Sequence, residues 1–112
     1  MQCPIVEADL RQMHVGARYK GYGCAVCAVN LCLLHPEYLW NVTRTLYPEV
    51  ADLLDIDPGC VEPNIRYLVA RCWRSNPEYL SQIAGYPLMH PPTCREFIEI
   101  LVNHAAACVM AK

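Results

Sequence analysis

Residues 47–73 read YPEVADLLDIDPGCVEPNIRYLVARCW, and their punctuation decides the fold. Pro48 opens a helix with Val50, Leu53 and Leu54 spaced to face inward. Asp55-Ile56-Asp57 makes a tight connection. Asp57 is placed to act as N-cap and Pro58 as the first residue of a second helix. That helix runs to about Trp73, with Val61, Ile65, Leu68, Val69 and Cys72 on its apolar face. Ala51 sits where two closely approaching helices need a small residue. Val50, Leu54, Ile56 and Val61 occupy the positions that would pack the pair. This is the helix-turn-helix pattern, whose second helix enters the DNA major groove. Any helical hairpin buries similar positions, so the pattern alone does not separate a DNA reader from a plain hairpin.

The segments on either side are helical too. Tyr22, Val26, Val29 and Leu33 recur at helical spacing within Tyr19–Leu34. Cys27, Leu31 and Leu34 make the other faces apolar, as in a central, buried helix. His35-Pro36 ends it, and a short helix is expected from Pro36 to about Thr45. A weaker helix is expected around Val6–Met13, broken by Gly16. Asn76-Pro77 starts a short helix ending near Gly85, and Pro91-Pro92 form a stop. Thr93-x-x-Glu96 is a capping box. It opens a last helix whose stripe is Phe97, Ile98, Leu101, Val102, Ala105, Cys108 and Val109. No segment alternates with period two, so the fold class is all-α.

Composition narrows the function. With 112 residues there is room for one domain, 1–112. The chain is 54% hydrophobic, enough to bury a core. Nine Lys and Arg stand against eleven Asp and Glu, so no basic surplus announces nucleic acid. No apolar run reaches the roughly 20 residues of a membrane span. Glu7 and Asp9 lie where a signal peptide would be basic and then apolar. The expected location is cytoplasmic, with no membrane partner. In that setting the eight cysteines are expected as reduced thiols filling space among Ala, Val and Leu.

Sharper readings of single motifs are weak. Cys24-x-x-Cys27, with Cys32 and His35 following, has no second pair to complete a four-ligand zinc site. A redox pair would want a βαβ context that is missing. No Gly-rich phosphate loop, nucleophile elbow or paired-carboxylate motif occurs. No metal, cofactor, small-molecule substrate or enzymatic activity is expected. His14, His35, His90 and His104 are scattered.

An ordered set of residues carries a resemblance over about 100 positions, from Leu10 to about Cys108. It begins with Lys20-Gly21-Tyr22 and Leu46-Tyr47-Pro48-Glu49-Val50-Ala51. It continues through Val61-Glu62, Ile65-Arg66 and Trp73, then Gly85-Tyr86, Pro92-Thr93 and Glu96-Phe97-Ile98. In these the chain resembles the C-terminal effector domain of the sporulation initiation response regulator of spore-forming Firmicutes. The resemblance implies a bundle of about six helices around a helix-turn-helix, a winged-helix-like effector domain without strands. It also implies sequence-specific binding to a promoter box in double-stranded DNA, transcription regulation, and homodimeric or tandem self-association. The receiver domain that precedes the effector in such regulators is not expected within these 112 residues.

Carried over position by position, the resemblance puts Val61 and Ile65 in packing roles. Glu62, Asn64, Arg66 and Tyr67 would face the major groove. Glu62 is suited to accept from a cytosine amino group, and Arg66 to reach a base edge or phosphate. Lys20, Arg44 and Arg71 are the candidate phosphate contacts. Two arginines of the family's recognition helix are replaced by Cys60 and Pro63. Two lysines of the preceding helix are replaced by Asp52 and Leu53, and a lysine-bearing loop is shortened to Met89-His90-Pro91. Between Tyr47 and Asn64 stand five acids and no Lys or Arg, a face that repels phosphate. Pro63 should either kink the helix or delay its start to Pro63. The alternative is a degenerate helix-turn-helix that serves as a protein-interaction or dimerisation module.

Overall fold

The computed structural model describes residues 4–110. Six α-helices occur among them: α1 (Pro4–Gln12), α2 (Lys20–Leu34), α3 (Tyr47–Leu54), α4 (Val61–Ser75), α5 (Pro77–Ala84) and α6 (Cys94–Met110). No strand occurs among the described residues, and the fold is all-α. Cys3 lies outside the described residues.

α2 is the axis of the bundle. It packs against α1, α3, α4 and α6, and Cys24, Ala25, Val26, Ala28, Val29 and Cys32 are buried along it. Its all-round apolar character therefore has the central role the sequence predicts. Its last residue, Leu34, is left 75% exposed. α6 closes the other side with Phe97, Ile98, Leu101, Val102 and Ala105. The stripe ends sooner than its spacing suggests, because Cys108 is half-buried and Val109 exposed.

The capping box forms reciprocally. Glu96 Oε1 accepts from the Thr93 amide at 2.9 Å, and the Glu96 amide donates to Thr93 Oγ1 at 3.1 Å. The expected helix over Pro36–Thr45 does not form as one piece. A 3-10 turn (Pro36–Trp40) and a π turn (Val42–Leu46) replace it. Asn41 separates them: its side-chain oxygen accepts from the Arg44 amide, offering the backbone a local partner instead of a helical one.

Two helices end on left-handed residues that are not glycine. The Asp55 amide bonds to the Asp52 carbonyl and the Ile56 amide to the Ala51 carbonyl, while Asp55 takes φ 56°. His14, at φ 63°, ends α1 with the same pair of bonds, to Arg11 and from Val15 to Leu10. Both are Schellman ends, where glycine would carry no Cβ penalty. Asp55→Gly should therefore raise unfolding stability in urea by about 0.5–1 kcal/mol. A loss of stability would show that the Asp55 side chain has a role beyond its backbone.

Candidate nucleic-acid interface

The connection between α3 and α4 is longer than the sequence suggests. Pro58–Cys60 form a 3-10 turn, Asp57 makes no side-chain cap, and α4 proper begins at Val61. Pro63 is thus the third residue of α4. The first four amides of a helix have no intrahelical acceptor, so proline there forfeits no hydrogen bond. The helix starts two residues before Pro63 and runs unbroken through it to Ser75. The late start removes the conflict that proline within a helix would create.

The inner face of α4 is as predicted, with Val61, Ile65, Leu68, Val69 and Cys72 buried. From α3, Val50 and Ala51 are buried against it, but Leu53, Leu54 and Ile56 are not: they are 63%, 38% and 36% exposed. Leu53 and Leu54 lie on the last turn of α3, outside the buried face of Val50 and Ala51, and Ile56 follows the left-handed Asp55.

One contact sets the height of α4 above the bundle. A Cβ on Gly21 would stand 2.2 Å from the Asn64 carbonyl oxygen and 2.9 Å from the Leu68 Cβ. The first turn of α2 therefore rests directly on the backbone of α4. Asn64 is drawn into this crossing. It is half-buried, and its side chain lies beside the Cys24 thiol. Burial raises the pKa of that thiol, and the neighbouring Asn64 side chain opposes the rise. Asn64 thus faces α2 and belongs to the support of the helix.

The outer stripe of α4 is Pro63, Arg66, Tyr67, Ala70 and Arg74, all exposed. Glu62 and Arg66 form an ion pair one turn apart, both substantially open to water. Glu62 also accepts from the Cys94 thiol, through its carbonyl at 3.8 Å and its carboxylate at 4.0 Å. Glu62 and Arg66, two of the four positions expected to face the groove, are therefore adjacent and held together. An exposed pair of this kind contributes little to stability, so separating it to meet a base costs little.

Beyond Tyr67 the surface becomes basic and aromatic. The Tyr67 ring is 6.3 Å from the Tyr19 ring. The Arg18 and Arg71 guanidinium carbons lie 5.2 Å and 5.9 Å from the centre of the Tyr19 ring. Arg18 also donates to the Tyr19 hydroxyl at 3.3 Å. Hydrogen bonds from Arg18 and then Arg71 hold that hydroxyl below its ordinary pKa. Lys20 is exposed next door, at the first residue of α2. The fold thus brings Tyr67 and Arg71 together around Tyr19, with Lys20 next to it in the chain, and adds Arg18 and Tyr19, which composition and periodicity pass over. Their signal was the run Arg18-Tyr19-Lys20, an aromatic between two cations just before a helix start. Arg44 stands apart, exposed on the π turn before α3.

The opposite lobe is acidic. Glu49, Asp52, Asp55 and Asp57 are all exposed on α3 and the turn. Among the described residues no three His, Cys, Asp or Glu side chains converge to hold a metal. Burial instead raises Cys32 to about 11 and Cys72 to about 12. No described helix is long and apolar enough to cross a membrane. A family model described as the sporulation initiation factor Spo0A C terminal matches residues 6–105.

Proposed function

We propose a mode of DNA reading from one premise: the chain belongs to the sporulation initiation factor Spo0A C-terminal family, a family of DNA-binding sporulation transcription-factor domains. The family is regulatory and not one of enzymes. The observation that carries the proposal is the composite surface made by α4 and the start of α2. The outer stripe of α4 enters the major groove of a promoter box. Glu62 and Arg66 meet base edges there, and Tyr67 lies at the boundary between bases and backbone. Arg18, Lys20 and Arg71 neutralise phosphates on one flank, and Arg44 on the other. Asn64 holds the helix at its working height through Gly21 and Cys24. The acidic lobe of α3 limits non-specific affinity, so sequence discrimination falls more heavily on α4. The whole chain acts as one effector domain in the cytoplasm, and two copies on adjacent half-sites would supply the self-association usual for such readers.

The test is fluorescence anisotropy with a duplex carrying the family's promoter box and a scrambled duplex. Four phosphate contacts predict a slope of about −3.6 in log K against log salt, or roughly a hundredfold loss between 50 and 200 mM. Arg71→Ala should reduce that slope by about 1 and weaken both duplexes alike. Arg66→Ala should abolish the preference for the box while leaving the slope near its starting value. Absence of binding to either duplex at low salt would overturn the proposal and leave protein interaction as the role of this surface.

A further inference from the structure

A second cluster of reactive side chains lies on α1, α5 and α6, and the DNA-reading surface uses none of them. Asp9 of α1 is 2% exposed. Its Oδ1 accepts from the Tyr79 hydroxyl at 2.6 Å, and its Oδ2 lies 2.7 Å from His104 Nδ1. With Oδ1 engaged as an acceptor, the carboxylate receives the His104 Nδ1 proton at Oδ2. This assigns the tautomer of His104 and leaves the Nε2 lone pair free to accept. Nε2 faces the Cys108 Sγ at 3.6 Å, one turn along α6. Carboxylate, imidazole and thiol are thus in line, with a base oriented toward a sulfur and its own orienting group buried behind it.

Cys108 is singled out among the described thiols. It is half-buried, and the His104 side chain is 27% exposed, so a small reagent can reach the sulfur. Cys24, Cys32, Cys72 and Cys94 are buried, and Cys27 is half-buried with its pKa raised by burial. Cys60 is exposed on the turn before α4. The other histidines are engaged elsewhere, His14 with Ser75, His35 with Glu37 and His90 with the Pro91 carbonyl.

We propose that Cys108 is a covalent modification site that forms mixed disulfides with small-molecule thiols. The Cys108 proton passes to His104 Nε2, and Asp9 stabilises the imidazolium through Nδ1. The thiolate attacks one sulfur of a low-molecular-weight disulfide. The S–S bond breaks, the Cys108 sulfur is bonded to one half, and the other half leaves as a thiolate. That thiolate recovers a proton from the imidazolium, so one disulfide is consumed and one thiol released.

The test uses the full chain with oxidised glutathione under native conditions, quenched by alkylation and read cysteine by cysteine by peptide mass spectrometry. Cys108 should be glutathionylated at least about tenfold faster than the exposed Cys60. In denaturant the two rates should converge. His104→Asn should bring the Cys108 rate down to that of Cys60 without moving Cys60, with a melting curve recorded to show that the variant is folded. Two results would overturn the proposal: Cys60 reacting as fast as Cys108 in the unmodified protein, or a folded His104→Asn variant that keeps the fast rate. The first comparison needs no variant and decides the matter even if His104→Asn fails to fold.

Discussion

Gly21→Ala should cost about 3 kcal/mol of unfolding stability and, with it, most of the DNA affinity at physiological temperature. The added methyl group has no rotamer by which to escape. It would meet the Asn64 carbonyl oxygen at 2.2 Å, and that atom belongs to the backbone of α4. Relief requires α2 and α4 to separate, which opens the junction between Cys24, Ile65 and Leu68, all buried. Gly23 gives the control. It lies two residues further on the same helix, and a Cβ there meets nothing within 4 Å. Gly23→Ala should be neutral or stabilising by up to about 1 kcal/mol, because alanine is the better helix former. Urea unfolding of the two variants separates the explanations. Equal effects would mean that helix propensity, and not the α2–α4 crossing, governs this segment.

That crossing also shows what was legible in the sequence. Helical periodicity located α2, α4 and α6, because their apolar residues repeat near 3.6 and are buried in the core. The capping box and Asn76-Pro77 located helix starts, because their side chains satisfy specific amides. The ends of the connections were harder. Leu54 and Ile56 are apolar and correctly spaced for burial, yet Leu54 ends α3 partly exposed and Ile56 follows the left-handed Asp55 outward. Pro63 read as an obstacle because its position within the first turn depended on where α4 began. At the site, Glu62, Arg66, Tyr67 and Arg71 could be placed on α4 by counting. Asn64 was countable onto α4 as well, but not its place against α2, which depends on Gly21 and Cys24, some forty residues away. The aromatic–cation group around Tyr19 was hidden for the same reason: Arg18 and Arg71 meet only because α2 lies on α4.

The largest gain of function should come from the acidic lobe. Asp52→Lys with Leu53→Lys restores the charges that the resemblance assigns to the helix before the recognition helix. In a helix-turn-helix that first helix crosses the DNA backbone. Both side chains are exposed, Leu53 by 63%, so the exchange removes little packing and should shift stability by less than about 0.5 kcal/mol. Electrostatically it replaces one negative charge with two positive ones. Affinity for the promoter box at low salt should rise about 10–100-fold, and the slope of log K against log salt should steepen by about 1.8. The scrambled duplex should gain by nearly the same factor, because phosphate contacts carry no sequence information. Discrimination would then be unchanged while affinity rose, which assigns affinity to α3 and specificity to α4. If the double variant bound no more tightly and its salt slope did not move, α3 would not lie along the backbone. The docking of α4 into the groove would have to be rebuilt around the Arg18, Lys20 and Arg71 flank alone.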